Sequence, residues 1–224
     1  MNQTPSLNNK MIVIDGVDGS GKGVQTRLLF EALSKISDKT ISDQVLLTRE
    51  PGGSPAAEDI RKLLVEGEPE KWDSMTELLL MYAARRSHLA DTIWPALEQG
   101  GWVISDRYAD SSRAFQGIAG GLGLELVESI HHNVVGSFEP ELVLILDIPE
   151  SIALQRALGR GGKEDRFEKK GDAYHAKVRK AFLEIAASNK ARYRVINANQ
   201  PIQAVTKEIF TVVNKHFDIN LVMK

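Results

Sequence analysis

The chain has 224 residues, 42% of them hydrophobic and 26% charged, with a formal net charge of −2 from 28 basic and 30 acidic side chains. That length suits one domain with a full core, and the near-neutral balance excludes the broad basic field of a protein that coats nucleic acid. Zero cysteines exclude disulfide scaffolds, thiol nucleophiles and cysteine-ligated zinc.

In chain order, residues 1–10 are polar, lack the apolar core of a signal peptide and read as a mobile tail. Residues 11–217 read as a single domain and 218–224 as a C-terminal tail. No apolar run reaches the roughly 18–20 residues of a membrane span, so a cytosolic location with no membrane or nucleic-acid partner is the default. Met11–Asp15 (MIVID) is a continuous apolar run closed by an acid, which predicts a strand buried on both faces. A glycine-rich turn follows, then helical spacing from Gly21 to about Lys35. Val45–Thr48 predicts a second strand, broken by Pro51-Gly52-Gly53. Pro55–Glu66 reads as a short helix with Ser54 as N-cap. Ser74 to about Gln99 reads as one long helix, with Ser74 and Glu77 spaced as a capping box and Gly100-Gly101 as its end. Trp102–Ser105 predicts a third strand, closed by Asp106.

Helical patterns over Ser111–Gly117 and Leu124–Ser137 lead to Leu142–Asp147, the strongest buried strand in the sequence. A helix Glu150–Leu158, a segment 159–171 dense in charge and glycine, a helix Asp172–Lys190, a strand Arg194–Asn197 and a helix Pro201–His216 complete the pattern. Five short apolar strands separated by helices predict an α/β fold with a doubly wound, mostly parallel five-stranded sheet. Ligands on such sheets bind at the carboxyl ends of the strands. Gly16–Gly21, Arg49–Gly53, Asp106–Tyr108 and Asp147 all fall there.

Gly16-Val-Asp-Gly-Ser-Gly21-Lys22 follows a strand and opens a helix, the context a G-x-x-x-x-G-K phosphate loop requires. Its glycines let successive N–H groups point at phosphate oxygens, and Lys22 supplies a compact positive charge. Gly16, Asp18, Gly19, Ser20, Gly21, Lys22, Gly23 and Val24 are therefore the expected ATP-binding segment. Gly23 stands where Ser or Thr would ligate Mg²⁺, and Thr26 is too far along the helix to substitute. Asp106 is then the best candidate carboxylate for the metal. Arg107 could clamp an acceptor phosphate bidentately or form a structural ion pair. The charges Arg156, Arg160, Lys163, Asp165, Arg166 and Glu168 would alone read as a solvated face; beside a phosphate loop they read as a cationic lid. One of Arg85 and Arg86 belongs at the surface, and His88, His131 and His132 read as surface or satisfied core residues. Asp147 fits a Walker B-like acid or a capping or orienting group equally.

With these residues in place, the chain resembles the thymidylate kinase family of the bacterial kind, over nearly its whole length. The resemblance is carried by IDGVDGSGKG (14–23), TREPGGSPAAEDIR (48–61), TELLLMYAAR (76–85), DRYADSSRAFQG (106–117), PELVLILDIP (140–149) and GRGGKEDRFE (159–168). It implies a P-loop nucleoside monophosphate kinase fold, and transfer of a phosphoryl group from Mg-ATP to dTMP by a protein that is commonly a homodimer. By the same resemblance Asp18 contacts the acceptor 3′-hydroxyl, Arg107 the dTMP phosphate and Arg85 a thymine carbonyl. Ser112 and Gln116 match contacts to the base edge, Phe115 a residue crowding the 2′ position, and Pro51 a residue near the base. Glu50, Met81 and Ser111 complete the implied acceptor site. Gly19 stands where some relatives carry a catalytic arginine, a pattern that goes with lid arginines, here Arg156, Arg160 and Arg166. Met81 and Tyr82 stand where a phenylalanine commonly stacks on the base. Two rival readings are a kinase of relaxed acceptor specificity and, from the absent hydroxyl at Gly23, a nucleotide-binding homologue with weak or no turnover.

Overall fold

The computed structural model describes residues 9–36, 44–158 and 166–223. All five expected strands form: β1 (Met11–Asp15), β2 (Val45–Arg49), β3 (Trp102–Asp106), β4 (Leu142–Asp147) and β5 (Tyr193–Asn197). They make one all-parallel sheet in the order β2-β3-β1-β4-β5. β1 has no exposed residue and β4 is buried except at Asp147, because helices cover both faces. The edge strands β2 and β5 alternate in exposure, which is why their apolar runs are shorter and mixed with polar residues.

The helices are α1 (Lys22–Leu33), α2 (Pro55–Val65), α3 (Ser74–His88), α4 (Trp94–Glu98), α5 (Ala109–Ser112), α6 (Leu124–Val135), α7 (Glu150–Leu158), α8 (Asp172–Ser188) and α9 (Ile202–Phe217). The helix expected over 74–99 is interrupted by a π turn at Leu89–Ile93. Pro95, one residue into α4, has no N–H to give residue 91, and the wider register accommodates it. A second π turn, Arg113–Ala119, replaces most of the regular helix expected over 111–117. The expected capping box is not formed. Asp73 caps α3, accepting from Thr76 N–H at 2.8 Å, while Ser74 donates to the carbonyl of Gly120 and Glu77 turns inward, 1% exposed. Ser54 precedes α2 without a side-chain capping bond; its hydroxyl meets Ser87 at 3.1 Å.

Residues 1–8 of the expected N-terminal tail, and 159–165 of the expected lid, lie outside the described residues. The segment after α9 is tied down: Asn214 bonds both the N–H and the carbonyl of Leu221, which is 5% exposed. Among the described residues no helix is long and apolar enough to cross a membrane.

Candidate active site

At the carboxyl ends of β1 and β3 a cavity of about 390 Å³ opens. The loop between β1 and α1 forms one side, contributing Asp18, Gly19, Gly21, Lys22 and Gly23. Gly16, Gly19 and Gly21 all have φ in the left-handed half of the map, and at two of them space is also absent. A Cβ on Gly16 would stand 2.6 Å from the carbonyl oxygen of Leu146, and one on Gly19 1.9 Å from that of Ala153 in α7. The arginine that some relatives carry at position 19 would not fit this backbone. Lys22 is 6% exposed and donates to the carbonyls of Gly16 and Val17 at 3.1 and 2.8 Å. Burial, reinforced by the nearby Arg107 guanidinium, pushes its ammonium pKa down to about 8. Ser20 is buried with its hydroxyl unpartnered, whereas Val24 is exposed on α1.

Gly23 faces Asp106. A Cβ built there would lie 3.5 Å from Asp106 Oδ2, an ordinary contact, so a hydroxyl side chain fits and would approach that carboxylate. Thr26 donates back to the carbonyl of Lys22 at 3.1 Å and does not line the cavity. Among the described residues no three His, Asp or Glu side chains converge as a metal cage. One cavity-lining carboxylate, Asp106, fits an ion that takes its remaining ligands from substrate phosphates and water, as Mg²⁺ commonly does.

Arg107 leaves β3 with φ +72°, an uncommon conformation for a residue with a side chain. Ser105 Oγ holds its carbonyl at 2.8 Å. The guanidinium Nη1 meets Asp15 Oδ1 at 3.0 Å, Gly16 O at 2.9 Å and Ser111 Oγ at 2.9 Å, while Nη2 meets Asp18 Oδ1 at 2.6 Å. All of these partners belong to the protein, so the ion-pair reading of Arg107 is the one seen here, at a residue that also lines the cavity. Burial raises the Asp18 carboxyl, but Arg107 and Lys22 outweigh it and hold the group well below the usual carboxylate range. Asp15 is fully buried; desolvation outweighs the same two cations and lifts its pKa to about 6.

The other side of the cavity comes from TREPGG, α3 and the π turn after α5. Glu50 accepts from Arg85 Nε at 2.8 Å and meets His88 Nδ1 at 3.3 Å, and His88 Nε2 meets Thr48 Oγ1 at 2.7 Å. Gly53 makes room for this chain: a Cβ there would stand 2.2 Å from His88 Nε2. The Glu50-Pro51 peptide bond is cis. Arg85 is 2% exposed, lies over the rings of Tyr82 and Tyr108, and donates to Ser112 Oγ and to Tyr108 O. It stands behind Glu50 and Ser112, which line the cavity with Pro51, Met81, Ser111, Phe115 and Gln116. Met81 faces the cavity, and Tyr82 turns away to meet His131. Of the arginine pair, Arg86 is the outer one, stacked on Trp94.

Gln116 is 2% exposed, yet neither its Nε2 nor its Oε1 has a hydrogen-bond partner. Buried amides are rarely left so. Here the amide belongs to a residue of the cavity wall and leaves a donor and an acceptor that nothing in the protein satisfies. Phe115 packs edge-on against Phe167, Tyr174 and Phe182.

The lid expectation divides. Arg160 lies outside the described residues. Arg156 is exposed on α7, next to the cavity-lining Ala157. Arg166 is not a lid group over the donor: it is fully buried, with its donors committed to carbonyls of residues 64, 68, 69 and 72. Asp147 is held bidentately by Arg179 at 2.7 and 3.1 Å, an orienting role.

The family profile described as thymidylate kinase matches residues 14–209. The chain belongs to the thymidylate kinase family. It is 43% identical to thymidylate kinase of Ruegeria pomeroyi over 207 residues, 92% of this chain and 95% of the relative. Identity to the thymidylate kinase of Dinoroseobacter shibae is 46%, over 89% of this chain and 94% of that one. A crystal structure of thymidylate kinase from Ehrlichia chaffeensis superposes with a TM-score of 0.73 at 32% identity, covering 91% of this chain and 97% of the other. A thymidylate kinase is a phosphotransferase, and membership fixes that class of activity here.

Among the charged cavity residues, Arg49 and Arg61 carry no assigned role in the sequence reading, and Glu168 enters it only as part of the lid. All lie inside the stretches TREPGGSPAAEDIR and GRGGKEDRFE, so a signal was present but unassigned. Asp15 was seen only as the acid closing a strand. Its role depends on Arg107 and Ser111, about ninety residues away.

Proposed function

We propose that the protein transfers the γ-phosphoryl group of Mg-ATP to the phosphate of dTMP, giving dTDP and ADP. The observation that carries this reading is the unpartnered buried amide of Gln116, in the same cavity as Lys22 and Arg107. A neutral pyrimidine edge offers a complementary donor and acceptor, and Lys22 and Arg107 stand where phosphates would be held. An acceptor phosphate is already ionised, so no general base is required, and catalysis reduces to positioning and charge neutralisation.

In this account the loop N–H groups and Lys22 hold the donor phosphates. Lys22 gives up its loop carbonyls when a polyphosphate is present, and the added negative charge restores an ammonium that burial weakens. Arg107 turns one edge of its guanidinium to the acceptor phosphate while Asp15 and Ser111 fix the other. Asp18 serves the acceptor sugar, Phe115 crowds its 2′ face, and Ser112 with Gln116 reads the base, Arg85 acting through Glu50 and Ser112. Asp106 would hold Mg²⁺, which when bound neutralises charge on the donor phosphates. Arg156 and Arg160 are proposed to supply further positive charge from the lid.

Turnover of dTMP with Mg-ATP, with dUMP and ribonucleotides as competitors, tests the reading; efficient phosphorylation of UMP or AMP would favour relaxed specificity. The reading in which Gly23 abolishes turnover predicts binding of ATP and dTMP without dTDP. Asp106, a carboxylate on the cavity wall beside the phosphate loop, favours the active enzyme. We also propose a homodimer, because α2 and α3 leave Leu63, Met75 and Leu79 exposed at 45%, 36% and 53%.

A further inference from the structure

Arg166 is one of the largest fully buried side chains, yet it does not line the cavity of the site. Its Nε donates to Glu68 O at 3.1 Å, Nη1 to Leu64 O at 3.2 Å, and Nη2 to Pro69 O and Trp72 O at 2.9 and 3.3 Å. Its own N–H meets Val65 O at 3.3 Å. Leu64 and Val65 end α2, where carbonyls lack intrahelical partners and the helix dipole favours a cation. Nη1 also lies 3.3 Å from Glu77 Oε2 of α3, whose Oε1 holds Lys170 Nζ at 2.5 Å. Lys170 in turn covers the rings of Phe167 and Tyr174. Tyr174 donates to the carbonyl of Phe115 at 2.9 Å.

We propose that Arg166, tied through Glu77 to Lys170, is a positioning residue for the acceptor side of the cavity. It caps α2 from a distant segment, and α2 brings Arg61 and Val65 to the cavity, while the next two residues, Phe167 and Glu168, line it directly. One buried guanidinium therefore sets two parts of the same wall. The proposal rests on the dTMP reading above, and it assigns Arg166 an effect on acceptor binding, opposite to that of an arginine acting on the migrating phosphoryl group.

Arg166→Met, Arg166→Lys and Lys170→Met are compared with the unaltered protein by thermal unfolding, steady-state kinetics and dTMP calorimetry. In Arg166→Met the KM for dTMP should rise about tenfold or more, with kcat and the KM for ATP within about threefold. Arg166→Lys, which keeps the charge but not the fork, should recover part of this. Lys170→Met keeps the carbonyl cap and should raise the dTMP KM by a smaller factor, so the idea remains testable if Arg166→Met does not fold. A lower melting temperature with an unchanged dTMP KM in the folded variants, or a fall in kcat alone, would overturn it. Failure of the unaltered protein to bind dTMP would overturn the functional reading, and the proposal with it. Normal dTMP binding by Arg166→Met would overturn the proposal alone.

Discussion

Gln116 and Lys22 carry charges and dipoles that the folded chain leaves only partly compensated, and each yields a measurement. Replacing Gln116 with Leu keeps the volume and removes both amide dipoles. If they read the base, kcat/KM for dTMP should fall roughly 10–100-fold, about 1.4–3 kcal/mol, with little change in melting temperature. Lys22, at about pH 8 in the folded chain against an ordinary 10.5, makes the free protein's affinity for ATP pH-dependent. Between those values the unfolded chain binds more protons, so stability gains from this residue as pH rises, while the phosphate-binding charge is lost. kcat/KM for ATP should therefore decline above about pH 8, and kcat at a higher pH because bound phosphate favours the ammonium. A flat kcat/KM profile to pH 9.5 would contradict the assignment. Gly23→Thr should tighten Mg-ATP binding several-fold, since the new side chain fits 3.5 Å from Asp106. An unaltered Mg²⁺ dependence would show that the hydroxyl has no role here.

At the scale of elements, the phosphate loop is shaped from outside by its neighbours. Gly19 is pinned against Ala153 of α7, a backbone contact that cannot rotate away. Gly19→Ala should cost about 2 kcal/mol or more, read by denaturant unfolding, and weaken ATP binding. The elements themselves were legible in sequence, because a strand buried on both faces has to be a continuous apolar run and β1 and β4 are just that. Ser74 and Glu77 fit a capping box by spacing, yet Asp73 was the better placed acceptor and Glu77 was needed by Lys170 and Arg166. Such competition is tertiary and leaves no local trace. Likewise Arg107, Ser112 and Gln116 were found through motifs, whereas Arg166 was misplaced because a charged, glycine-rich segment gives no sign that one of its arginines is buried.

Across the whole molecule, five parallel strands bring residues from four separate stretches to one end of the sheet. Asp15 and Arg107, neighbours in the site, are 92 positions apart in the chain. That geometry also leaves an apolar face on α2 and α3. Leu79→Glu should convert the proposed dimer to a monomer in sedimentation analysis; an unchanged mass would place any interface elsewhere. The central claim is most directly tested by following ADP release and product identity with Mg-ATP and each of dTMP, dUMP, dCMP, dGMP, UMP and AMP. Turnover confined largely to dTMP, with dTDP as product, is the predicted result. Binding of ATP and dTMP without dTDP formation, or preferred turnover of a different acceptor, would contradict it.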